Sequence, residues 1–156
     1  MLTLVLPPEQ QDLLLRALRK AGPREIGGVL MGEHAGPSLF IVRKMTVHRR
    51  GSYASFVRRI EDALGSLRSF FLETGHDHER FNYIGEWHSH PSFEPYPSRR
   101  DNLSMLQIVQ DEAVGANFAV LLISKLGLSG ELICTAHTYL PDGVRVLSSV
   151  DTPRRW

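Results

Sequence analysis

The run Glu86-Trp87-His88-Ser89-His90-Pro91, followed by Ser98 and Asp101, constrains this chain more than any other feature, because it reads H-x-H-P-x6-S-x2-D without a gap. Successive side chains of an extended strand point to opposite faces, so His88 and His90 project from one face and can reach one ion. Pro91, Pro95 and Pro97 make the following stretch a loop that can bring the chain back beside the strand. Ser98-Arg99-Arg100-Asp101 then has the form of a helix start, with Asp101 in the first turn as a third ligand. Two imidazoles and one carboxylate leave a fourth tetrahedral position open for water. That distinguishes a catalytic zinc site from a closed structural one.

Length and composition point to one domain over residues 1–156. A chain of 156 residues, 42% hydrophobic and 22% charged, can bury a core of its own without disulfides. The formal net charge of +1 gives no reason to expect nucleic acid as a partner. The basic pairs Arg49-Arg50, Arg58-Arg59 and Arg154-Arg155 are scattered, as solvated surface charges are. Cys134 is the sole cysteine, which rules out an intramolecular disulfide and suits a reducing compartment. The apolar start Leu2-Thr3-Leu4-Val5-Leu6 lacks a basic leader and is too short for a signal core or a membrane span. A cytoplasmic protein with no membrane partner is expected.

Helical and strand periodicities alternate along the chain. Pro7-Pro8-Glu9 opens a first helix, with Gln10, Leu14, Ala17 and Leu18 at helical spacing until Gly22-Pro23. Strands are predicted over 25–33 and 39–47, with a third around 54–57. Ile60, Leu64, Leu67, Phe70 and Phe71 mark a second helix that stops before Gly75. A strand over 83–90 carries the two histidines, and a third helix follows the proline loop. Strands over 118–124 and 131–140, joined by a glycine turn, and a short one over 144–147 complete the chain. The fold class is α/β, with a mixed or antiparallel sheet flanked by helices.

Each candidate residue has a competing structural role. His76-Asp77-His78-Glu79 also offers H-x-H and carboxylates, but it lies in a polar turn with no third ligand at a comparable offset. His34, His48 and His137 stand alone, so surface or satisfied buried positions suffice for them. Ser98 can serve as a helix N-cap and still act in chemistry. Glu86 competes as a general base, since strand alternation puts it on the face of His88 and His90. Trp87 and Phe93 are apolar candidates for a substrate pocket, with core packing the rival role for Trp87. Any substrate tail is expected to pair with a strand edge near the metal.

Together with Glu25-Ile26-Gly27-Gly28-Val29-Leu30-Met31-Gly32, these residues resemble the JAMM/MPN+ (JAB-domain) metalloprotease family. The resemblance covers most of the chain and implies a single MPN/JAB-type domain. It also implies catalytic roles for Glu25, as general base, and for Ser98, as support for the tetrahedral intermediate. Zn2+ would be held by His88, His90 and Asp101. The implied activity is a zinc-dependent isopeptidase or peptidase that cleaves after the C-terminus of a ubiquitin-like or similarly conjugated protein. The YIGEWHSHP form of the motif, residues 83–91, looks most like bacterial members, some of which reverse conjugation in CBASS antiphage systems beside conjugation-pathway enzymes. Two other readings stand beside it: a peptidase for ubiquitin-like sulfur-carrier proteins, and an MPN scaffold without catalysis. A deaminase-type zinc hydrolase is excluded, because H-x-E and P-C-x-x-C are missing and only one cysteine is present.

Overall fold

Helices are interspersed among strands in this computed structural model, which describes residues 1–48 and 56–155, with side chains at all of these except 56–59 and 62. In chain order they are β1 (Thr3–Val5), α1 (Pro8–Ala21), β2 (Gly27–Gly36), β3 (Leu39–Met45), α2 (Phe56–Glu73), β4 (Phe81–Ser89), α3 (Arg99–Gln110), β5 (Ala119–Leu126), β6 (Leu132–Tyr139) and β7 (Arg145–Asp151). Pro8 and Glu9 sit in the first turn of α1, where a missing N–H and a negative charge are both favourable. Gly22 ends that helix with φ 58, a conformation that costs an L side chain energy.

The sheet is mixed: β1 runs parallel to β3 and β7, β4 runs parallel to β5, and the remaining neighbours are antiparallel. It also closes, in the order β1-β3-β2-β4-β5-β6-β7 with β7 back against β1. Closure leaves β4 without a free edge. At the histidines β4 is flanked on both sides, with Gly27 opposite His88 in β2 and Ile123 beside it in β5. A substrate tail therefore finds no free edge on β4 itself among the described residues.

The two faces of the sheet bury different helices. Leu30, Trp87, Val120 and Leu122 point to one face and pack with Leu14 and Ala21 of α1. Strand alternation sends their neighbours the other way. Val29 and Met31 pack under Ala63, Leu67 and Phe70 of α2, while Leu121 and Ile123 pack under Met105, Ile108 and Val109 of α3. Each fully buried aliphatic side chain contributes roughly 1.5–3 kcal/mol, so these two clusters anchor α2 and α3 on either side of β4. Glu86 and His88, opposite or beside Val29, Leu121 and Ile123 in register, lie on the face between them. Gly85 permits this tight packing: with φ 152, a Cβ there would stand 1.9 Å from the Val120 carbonyl oxygen.

Several boundaries differ from the sequence reading. β1 was not anticipated, because three residues paired only with distant strands leave no local signal. β2 begins at Gly27, so Glu25 precedes the strand. Of the strand expected around 54–57, residues 54 and 55 lie outside the described residues, and Phe56 and Val57 open α2. Arg49-Arg50 lies outside them as well, as do the side chains of Arg58-Arg59. Among the described residues no helix is long and apolar enough to cross a membrane.

Candidate metal and catalytic site

The end of β4 and the start of α3 converge as the spacing predicts. His88 Nε2 lies 3.0 Å from Asp101 Oδ1, and His90 Nε2 lies 3.3 Å from Asp101 Oδ2. Ligand atoms about 2.0–2.1 Å from a tetrahedral zinc are separated by roughly 3.3 Å, so the spacing suits one ion. Among the described residues, His88, His90 and Asp101 form a group whose ligand atoms all lie within 4.8 Å of one another. His88 Nε2 is also buried with no hydrogen-bond partner, since its approach to Asp101 is close without being aligned. A buried, orphaned nitrogen is costly unless something coordinates it. The donor set therefore fits a metal ion.

Each ligand is held by its surroundings. The Asp101 carboxylate accepts from Ser98 N at 2.7 Å, and the Asp101 N–H donates to Ser98 Oγ at 3.1 Å, a reciprocal capping box. His90 Nδ1 lies 3.0 Å from the Glu94 carbonyl oxygen, which makes Nδ1 the protonated nitrogen and leaves the Nε2 lone pair for a metal. Burial works against the charged form of His90, but the hydrogen bonds to Asp101 and Glu94 and the charges of Asp101 and Glu25 outweigh it, so its pKa is raised. Burial likewise pushes Asp101 up, yet the two histidines and Ser98 N overcome it and hold the carboxylate well below its usual range. Asp101 is thus ionised, as a ligand must be.

Glu25 reaches the site through strand register. Ile26 N donates to Ser89 Oγ at 3.0 Å and Ser89 N donates to the Ile26 carbonyl at 2.8 Å. With Gly27 opposite His88, the next same-face position brings Glu25 level with His90. Its charge acts on His90, as its contribution there requires. Gly27 keeps the way clear: a Cβ there would stand 2.5 Å from the Trp87 oxygen and 3.0 Å from His88 Cβ. Glu25 is half-buried, whereas Glu86 is buried at 3% exposure between Val29 and Leu121. Ser98 is exposed, and because its Oγ accepts the cap bond its hydroxyl hydrogen is free to donate.

The proline loop holds partners that motif spacing does not reveal. The carbonyls of Phe93, Glu94 and Pro95 are taken in turn by Lys125 Nζ at 3.1 Å, by His90, and by the Thr135 hydroxyl. Backbone acceptors leave no residue-type signal, which is why Lys125 and Thr135 went unnoticed. The Phe93 ring packs on His90 at 4.3 Å and remains 46% exposed. Trp87 is core: it is 1% exposed and donates to the Thr46 carbonyl at 2.8 Å. His137, bonded to Thr135 at 3.0 Å, is buried, and burial with the nearby Arg145 charge lowers its pKa to about 4, so it is a satisfied neutral histidine. His76 and His78 are exposed, with ring centroids 6.0 Å apart.

A family model for prokaryotic homologs of the JAB domain matches residues 7–138. The chain belongs to that JAB-domain family. Consistent with this JAB assignment, a CD-NTase/cGAS isopeptidase from Enterobacter hormaechei subsp. hoffmannii (strain UCI 50) is 31% identical over 110 residues. The match takes in 68% of this chain and 58% of that protein, so the JAB chain spans less than two thirds of the relative's length. Two solved structures share the fold. A protein from Desulfitobacterium hafniense superposes with TM-score 0.65 at 20% identity, covering 99% of this chain and 94% of its own. A JAB1/MPN domain protein from Archaeoglobus fulgidus superposes with TM-score 0.50 at 16% identity, covering 97% and 99%.

Proposed function

We propose that this JAB-domain chain is a zinc-dependent peptidase that cleaves the amide following the C-terminus of a ubiquitin-like or similarly conjugated protein, reversing the conjugation. The observation that carries the reading is the meeting of two imidazole nitrogens and one ionised carboxylate at metal-ligand separations, with Glu25 level with His90. An MPN scaffold without catalysis has no use for an orphaned His88 Nε2. His88, His90 and Asp101 would hold the ion. Bound there, zinc supplies Lewis acidity, bringing the pKa of water to about 7 and polarising a carbonyl.

The chain's own groups supply the rest. Glu25 takes a proton from the attacking water and later delivers it to the departing amine, so one carboxylate serves both halves of the reaction. The Ser98 hydroxyl donates to the oxygen on which negative charge develops. The Asp101 cap fixes Ser98 relative to the ligands, so this donor is in place before substrate arrives. The substrate class is supported by family membership and by the relative named as an isopeptidase. That relative, named as an isopeptidase for a CD-NTase/cGAS, favours a substrate of that kind ahead of a sulfur-carrier protein.

The test is cleavage of a ubiquitin-like C-terminal tail joined through an amide to a reporter. Zinc-loaded protein is expected to release the reporter, and chelation followed by zinc return to abolish and restore release. Cleavage unaffected by chelation would contradict the reading.

A further inference from the structure

Beside the start of β2, α1 carries two parallel stripes. Leu13, Ala17 and Ala21 follow one another at four-residue steps on α1, Arg16 and Lys20 lie one position before Ala17 and Ala21, and Arg24 follows just past the helix end. Together with Ile26 and Val47 they line a groove of about 360 Å³. The two alanines keep its floor low, and Val47 is 41% exposed within it. All three cations are exposed, no carboxylate lines the groove, and among the described residues none of the three forms an ion pair.

This concentration of charge is local, since the whole chain carries only +1. The carboxylates of α1 lie at its other end, where Asp12 is bound to Arg155. Helix-end electrostatics account for part of the arrangement: Arg24 donates to the carbonyls of Ala21 at 3.2 Å and Lys20 at 3.3 Å. Arg16 lies earlier in the helix, with Lys20 as a like charge one turn after it and Asp12 one turn before it engaged by Arg155. An acidic partner would offset that repulsion.

We infer that this groove docks an acidic segment with an apolar centre, belonging to the conjugated protein whose C-terminal tail enters the metal site. That identity of the partner rests on the proposed peptidase function. Apolar side chains fill the alanine floor while carboxylates meet Arg16, Lys20 and Arg24. Chain continuity supports it: Arg24 and Ile26 line the groove on the α1 face of the sheet, and Glu25 between them turns to the opposite face, where the candidate site lies, at the start of β2. A partner seated on α1 leads its tail toward Glu25 and the ligands.

The probe is a short fluorescein-labelled amphipathic peptide of glutamates and leucines, compared with its lysine-for-glutamate counterpart by fluorescence anisotropy on the full chain. The glutamate peptide alone is expected to bind, more weakly as salt rises from about 150 to about 500 mM. Arg16→Glu with Lys20→Glu, both at exposed positions, is expected to weaken it at least about tenfold. Ala17→Trp, which fills the floor and keeps every charge, is expected to do the same, with circular dichroism checking that the fold is kept at this partly buried position. Binding that survives Ala17→Trp, or that is matched by a single-stranded oligonucleotide or phosphatidylserine vesicles, would overturn the inference. So would no binding at all. Failure of the peptidase reading is distinct: zinc-loaded unmodified protein would bind the peptide and cleave no tail substrate, which overturns the identity given to the partner.

Discussion

Ser98 and Asp101 exchange two hydrogen bonds, Asp101 N to Ser98 Oγ at 3.1 Å and Ser98 N to Asp101 Oδ2 at 2.7 Å, so the cap of α3 and the carboxylate corner of the candidate metal site are one structure. Folding of the helix start therefore aims the ligand.

The two roles separate by substitution. Asp101→Asn keeps an oxygen for Ser98 N but loses the charge, so zinc affinity is expected to fall by at least about 100-fold with little change in melting temperature. Asp101→Ala also breaks the capping box and should lose a further amount of stability, about 0.5–2 kcal/mol. Zinc titration and thermal melts of the metal-free variants check both.

About one zinc per chain is expected on purification, because His88, His90 and Asp101 are the ligand group found among the described residues. Metal analysis of the His88→Ala, His90→Ala double variant should find it lost. Full occupancy in that variant would move the site elsewhere.

Gly85→Ala should destabilise the protein by about 2–4 kcal/mol. The added Cβ would meet Val120 backbone at 1.9 Å on a residue with φ 152. Chemical denaturation measures this, and a loss within about 0.5 kcal/mol would contradict the β4–β5 packing described here.

Glu33 supplies a pH-dependent test away from the metal. It is buried, and hydrogen bonds from Arg80 and Arg43, with Arg80 the larger influence, hold its pKa below the ordinary value despite burial. A lowered folded pKa means that its stabilisation is full above the unfolded value of about 4.3 and is lost as pH falls through the folded one. Both arginines are partly exposed, so Glu33→Gln should cost only about 1–2 kcal/mol at pH 7. That difference should shrink steadily below about pH 4. Melting curves of the two proteins across this range decide it.

The meeting of His88, His90 and Asp101 was legible because strand alternation and a helix start are local rules that these residues obey. The position of Glu25 beside His90 was not legible from spacing, which put only Glu86 on the histidine face; β2–β4 register brings Glu25 there. Barrel closure was not legible, because it depends on β1, whose partners Leu39–Ile41 and Ser149–Asp151 are remote in sequence. Burial of Trp87 followed from its strand position, whereas the grips on the loop carbonyls depend on contacts between Lys125, Thr135 and a distant backbone.

The most direct measurement is turnover of Glu25→Gln and Glu86→Gln at saturating zinc, with metal content and melting temperature recorded on the same samples. Glu25 is proposed to carry protons without binding the ion, so Glu25→Gln should retain about one zinc and its fold while losing roughly 10²–10⁴-fold in rate. Glu86→Gln should cost at most about 10–100-fold, mainly through metal affinity. Near-normal turnover in Glu25→Gln together with loss in Glu86→Gln would contradict the account.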